Sequence, residues 1–238
     1  MAGDPRSPAA QDLVSDLRAV PPPAGVPVLV GGETAFLVDS LDSIADQLPL
    51  AIGLIVLTTF IVLFLFTGSV VQPVRALLSN ALTLGATLGL MALIFQQGNG
   101  SDLLGFTPQP LDMAMMVLLF CIVFGLSTDY EVFVMSRIKE QHDAGAGIVA
   151  STVHGLSHTG RIVTVAAALI AVSFFAFVSS EVSFIKLFGL GTGLAILLDA
   201  TVVRGILVPA SMRLLGVNSW YAPAALRRLH AQVGLAEA

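Results

Sequence analysis

Five apolar runs constrain this chain more than anything else in it: Leu48–Phe66, Leu77–Phe95, Met113–Met135, Ile162–Val178 and Leu187–Val208. Each is close to the ~20 residues that cross a ~30 Å hydrocarbon core as an α-helix. Backbone hydrogen bonding in lipid permits helices or closed barrels, and runs this long lack the alternation of barrel strands. The sequence therefore predicts an all-α membrane protein built on a bundle of about five transmembrane helices. Composition agrees: 55% of the 238 residues are hydrophobic and 11% charged, against about 25% charged in soluble domains.

Loop charges orient the spans. Arg75, Arg137, Lys139, Arg161, Arg213, Arg227 and Arg228 fall to one side. The other side holds the loop 96–112, without Lys or Arg, and the short turn containing Lys186. The positive-inside rule then puts the N-terminus outside and the C-terminus in the cytoplasm of a multi-pass protein of a bacterial inner (plasma) membrane. Residues 1–20 contain Asp4, Asp12 and Asp16 and lack the apolar stretch of a secretory signal.

Three regions are predicted: 1–47, 48–212 and 213–238. In the first, Pro8–Val20 reads as an amphipathic helix stopped by Pro21-Pro22-Pro23. Val26–Val30 reads as a short strand ended by Gly31-Gly32, and Glu33–Gln47 as a second helix. About 47 residues with one strand are too few for an independent core, so this region is expected to be a small extracytoplasmic α/β remnant of a larger domain. The second region is the five-helix transmembrane domain, and the third a cytoplasmic tail with Trp220-Tyr221 at the interface. Two G-x-x-x-G pairs, Gly85/Gly89 and Gly189/Gly193, mark places where helices can approach closely.

The chemistry centres on Asp129, in Phe124-Gly-Leu-Ser-Thr-Asp-Tyr-Glu-Val-Phe133. Counted from Met113 at 1.5 Å per residue, Asp129 lies about 24 Å into its span. A carboxylate there costs a few kcal/mol unless it is paired, hydrated or protonated. A group able to gain and lose a proton in that setting is what a proton carrier requires, and Tyr130 beside it offers a hydroxyl. Asp199 lies about 18 Å into the last span, at nearly matching depth. Arg204 is five residues further, about 140° around an α-helix, which makes it a poor same-helix partner for Asp199 and leaves snorkelling to the headgroups as its alternative. Glu131 points about 200° from Asp129 and reads as structural. His154 and His158 have i, i+4 spacing, but they fall in the connection before the fourth apolar run and read as a solvated pair rather than a metal site. The lone cysteine, Cys121, sits in an apolar run and offers neither a disulfide framework nor a metal site. No basic stripe with interleaved aromatics supports nucleic-acid binding. No cofactor is implied.

At these residues the chain resembles the MmpL branch of the resistance-nodulation-division transporter superfamily. The resemblance runs through Gly125-Leu-Ser-Thr-Asp129-Tyr130-Glu-Val-Phe-Val-Met-Ser136-Arg137-Ile-Lys-Glu140, Thr159-Gly160-Arg161-Ile-Val-Thr, and Asp199 to Pro209. It implies the final porter fragment and last five helices of a protein that exports lipids or other hydrophobic molecules on proton-motive force. Asp129 and Tyr130 match half of the proton relay, with Asp199, Arg204, Ser127 and Gly125 around it. The second Asp-Tyr pair and the porter domains are absent, so the implied partners are the lipid bilayer, a hydrophobic substrate, and an N-terminal half or other transporter subunit. The rival readings are a membrane binding or assembly module that does not pump, an inactive remnant, and an intramembrane aspartyl protease using Asp129 and Asp199. The last lacks a Gly-x-Gly-Asp signature, and the chain is not expected to be an enzyme.

Overall fold

A computed structural model describes Pro5 and residues 7–22 and 28–233. Among these residues the regular structure is helical throughout, and five helices are long and apolar enough to cross a membrane. The chain divides into two compact units, residues 1–55 and 56–238, with the division falling inside one helix.

In the first unit, α1 (Pro8–Ala19) begins where the Ser7 hydroxyl accepts the Ala10 N–H and Pro8 supplies a preset first turn. Arg18 at its end forms a two-pronged ion pair with Asp39, at 2.6 and 3.0 Å. Both partners are solvent-accessible, so the pair adds little stability. No strand occurs among the described residues. Val26 and Pro27 lie outside them, and Val28–Val30 form none, so the expected α/β character of this region is not borne out. The separate helix expected over Glu33–Gln47 is also corrected. It runs without interruption into the first span as α2 (Glu33–Thr67), with Pro49 inside. Proline removes one backbone donor from a helix interior but does not end a helix whose other bonds persist.

The second unit packs the remaining spans around α5. These are α3 (Val71–Met91, continued by a π-helical turn to Gln96), α5 (Met113–Asp143), α6 (Ile148–Phe175, extended to Ser179) and a last span opening with α7 (Ser183–Leu198). Between α3 and α5 lies the single turn α4 (Ser101–Leu104). The last span widens into a π-helix over Asp199–Leu207 and returns to α-geometry as α8 (Val208–Leu215). After a 3-10 turn comes the short amphipathic helix α9 (Ala224–Val233). Three apolar clusters fill successive levels of α5: Met115 with Met91 and Phe95 of α3, then Leu119 and Val123 with Leu84 and Ala195, then Val134, Met135 and Ile138 with Val163, Val203 and Met212.

Small residues decide the crossings. A Cβ on Gly155 would meet the Ile138 backbone at 3.0 Å, and one on Gly193 the Phe175 ring at 2.5 Å. Gly189 is equally tight against the Phe174 carbonyl, whereas Gly85 and Gly89 have no neighbour within 4 Å. Only the second G-x-x-x-G pair is thus a seam within the chain.

Three cations differ from their expected loop positions. Arg75 is buried in the first turns of α3. Lys186 is buried near the start of α7, where its Nζ donates to the Leu104 and Gly105 carbonyls at 2.6 and 2.9 Å and caps α4. Arg161 lies within α6, as do His154 and His158, because α6 starts fourteen residues before the apolar run does.

Gly155→Ala is expected to destabilise the chain by about 1–3 kcal/mol, since a rigid backbone must move to admit the methyl group. Gly85→Ala should be near neutral. Thermal unfolding of the two purified variants in one detergent distinguishes these outcomes.

Candidate functional site

Around the middle of α5 the inward and outward faces carry different polar groups. Ser127 and Glu131, four residues apart, are both buried. Asp129, between them and about 200° around the helix from each, is exposed. It has no ion-pair partner among the described residues. Gly125, one turn before Asp129, is exposed on the same outward stripe rather than lining the interior with Ser127.

The inward groups belong to two buried ion pairs. Arg75 of α3 is bonded to Glu131 and donates through Nε to Gln72 at 2.9 Å. Gln72 in turn donates to the Ser219 carbonyl at 3.1 Å, joining α3 to the turn after α8. The second pair is Asp199 with Arg204. Five residues on an α-helix would set these side chains about 140° apart. The segment is π-helical, however, with i to i+5 hydrogen bonds that stack residue 204 over residue 199. The wide turn ends just before Pro209, which has no N–H to donate. The expectation that Arg204 is a poor partner for Asp199 fails for this reason.

Ser127 Oγ lies 2.7 Å from Asp199 Oδ1 and 2.7 Å from Asn80 Oδ1. A hydroxyl carries one hydrogen and can donate to only one of them. The contacts are both satisfied when Asp199 is protonated and donates to Ser127. They are also both satisfied when the Asn80 amide is turned so that its nitrogen faces Ser127; the amide's other end meets Thr128 Oγ1 at 3.3 Å. The network thus has two complete hydrogen-bond arrangements that differ by one proton. Asn80, which sequence reasoning missed, links the site to α3; its signal was an amide in the middle of an apolar span.

The half-buried Tyr130 ring lies under the buried Arg204 guanidinium, 4.5 Å from centroid to Cζ, a cation–π contact. Arg204 Nε and Nη1 are buried without an acceptor among the described residues. A cavity of about 10 Å³, lined by Ser127, Tyr130, Asp199 and Arg204 among others, is close to the smallest that holds one water. Asp129 does not line it. No group of three His, Cys, Asp or Glu side chains among the described residues is placed to hold a metal.

The sequence pattern of the MMPL family matches residues 1–234. The chain belongs to the MMPL family. It is 44% identical over 228 residues to the trehalose monomycolate exporter MmpL3 of Mycolicibacterium smegmatis, a match covering 96% of this chain and 22% of that protein. Membrane protein YdfJ of Bacillus subtilis is 34% identical, over 92% of this chain and 30% of that protein. The mycolic acid-containing lipids exporter MmpL11 of M. smegmatis is 32% identical, over 97% and 24%. The chain therefore spans about a quarter of the length of the curated relatives it matches. Together with the five spans, this family membership makes the chain a multi-pass membrane protein.

Glu131→Gln is expected to cost about 3–5 kcal/mol, because it leaves Arg75 charged and buried without its counter-ion. The paired change Arg75→Met with Glu131→Leu should recover most of that loss. Denaturant unfolding of the purified chain and both variants measures the difference.

Proposed function

We propose that the chain forms the C-terminal membrane half of a proton-motive-force-driven exporter of lipids or other hydrophobic molecules, with Asp129 and Tyr130 as half of its proton relay. In this reading the N-terminus is outside, the C-terminus is cytoplasmic, and a first half or partner subunit supplies the facing groups and the substrate path. Residues 1–47 then belong to an extracytoplasmic porter-like domain, and 213–238 to a cytoplasmic tail.

The observation that carries the reading is a carboxylate, Asp129, on the outward face of an apolar span with no counter-charge among the described residues. A group of that kind is costly in hydrocarbon and marks a partner or an ion path. Gly125 on the same stripe leaves room for another helix to come close beside it. Behind it, Tyr130 touches Arg204, which holds Asp199, which meets Ser127. A proton gained or lost at the outward carboxylate changes the field on Tyr130 and, through Arg204, on a hydrogen-bond network with two settings. The names of the relatives, two of them lipid exporters, support a hydrophobic substrate. Family membership weighs against the aspartyl protease alternative, as does geometry, since Asp129 and Asp199 lie on opposite sides of α5.

Asp129→Asn, in the chain expressed with the half that completes it, should reduce proton-coupled export to background while membrane insertion and protein level stay unchanged. Export at the parent rate by that variant rejects the assignment.

A further inference from the structure

One end of the bundle ties three spans to the short helix α9. The Ser69 hydroxyl reaches the Ser219 carbonyl at 2.9 Å, and the Val70 N–H donates to the Tyr221 carbonyl at 3.1 Å. These bonds join the turn between α2 and α3 to the segment that leads into α9. His230 of α9 then fits against Gly68 in that same turn. The glycine has a φ of +66°, and a Cβ on it would meet the imidazole at 3.0 Å. His230 Nε2 donates to the Leu65 carbonyl at 3.1 Å, since a carbonyl only accepts. The imidazole also meets the Phe64 ring edge-on, with centroids 5.7 Å apart. Phe64 and Leu65 belong to the last turn of an apolar run that ends at Phe66. A span ends where the hydrocarbon ends, so α9 is fixed at the rim of the bilayer.

A helix at that level meets two solvents. Leu226, Leu229 and His230 share one side, at spacings i, i+3 and i+4. His230 is half-buried against α2, so this side is turned toward the spans, yet Leu229 is 49% exposed. Arg227 and Arg228 stand about 110° and about 150° from the middle of that side, in opposite directions. Both are exposed. Neither they nor Arg213, at the end of the last span, have an ion-pair partner among the described residues. Residues 200–233 contain no Asp or Glu, so the exposed charge of this segment has one sign. Leu214, Val217 and Tyr221, on the stretch leading to α9, are exposed as well. An open apolar side flanked by arginines is the pattern of a helix lying in the headgroup layer. Its leucines reach the acyl boundary, while the guanidinium forks suit phosphate oxygens. A protein partner is the poorer fit, because the open apolar side borders spans that lipid already covers.

We propose that α9 is an interfacial helix that binds anionic phospholipids of the leaflet at its end of the bundle. Leu229 enters the acyl boundary, and Arg227 and Arg228 hold the lipid phosphates on either side of it. The assignment stands independently of whether the chain takes part in transport.

The test uses the full chain carrying Trp220→Phe and Leu229→Trp, which moves its one indole to α9. It is reconstituted in mixed vesicles of dioleoylphosphatidylcholine and dioleoylphosphatidylglycerol, with one lipid or the other brominated on its acyl chains. Bromine quenches an indole only at close range, so fluorescence reports both insertion at 229 and which lipid is there. The expected result is strong quenching with phosphatidylglycerol preferred about fivefold or more. Adding Arg227→Gln and Arg228→Gln should bring that preference to parity, while Arg227→Lys with Arg228→Lys should keep most of it. The lysine pair shows that charge is read, and that substitution at these positions does not by itself displace the helix. Absence of quenching by either lipid would place residue 229 in water or under protein and overturn the proposal. Equal quenching by both lipids in the parent chain would make α9 indifferent to headgroup charge, also overturning it. A preference that survives the glutamine pair would assign the anion to other groups and reject the role of the two arginines.

Discussion

A charged side chain enclosed by helices in a bilayer must find its counter-charge inside the protein, and the second unit of this chain is arranged around that demand. Two buried ion pairs meet it. Arg75–Glu131 fastens α3 to α5, and Asp199–Arg204 closes on itself within the last span. Breaking either leaves a buried charge without its counter-ion, which is costlier than never having had the pair. Both pairs touch the face of α5 that carries Ser127 and Glu131, so that helix is the common support of the polar interior.

The widened turn at Asp199–Leu207 is the local device that makes this possible. It changes which residues share a face, turning a five-residue spacing from a mismatch into an ion pair. It also lets one guanidinium meet a carboxylate and the Tyr130 ring. Asp199 and Ser127 then form, with Asn80, a chain of groups whose hydrogen count permits two arrangements. Asp129 stands outside this set, on the opposite side of α5. The division is informative: the interior acids find their counter-charges among the described residues, whereas the outward carboxylate looks toward groups that the described residues do not supply.

Membership of the MMPL family places these features in a transporter lineage. The chain's described spans carry both buried ion pairs and the outward Asp129. At another level of α5 a cavity lies beside the Gly155 crossing, lined by polar residues of α5 and α6 together with Phe133 and Ile162.

Much of the fold was legible in the residues. Five runs of lipid length and the Asp-Tyr string around Asp129 were enough to give the spans and the family, because hydrocarbon solvent leaves the backbone few alternatives. The contacts were not legible in the same way. Periodicity at 3.6 residues per turn separated Arg204 from Asp199, because a π-helical segment has no strong local signature. Counting loop charges put Arg75 and Lys186 in solvent, because only the packed helices reveal that Glu131 and the Leu104 carbonyl are waiting for them. The strand expected at Val26–Val30 is not formed over its described part, Val28–Val30; β-branched residues take up their preference only where a neighbouring strand exists. The sequence by itself determined which stretches enter the membrane and that an acid goes with them. Tertiary structure alone decided which acids are neutralised inside and which one faces out, because that choice depends on which helix turns which face toward a partner.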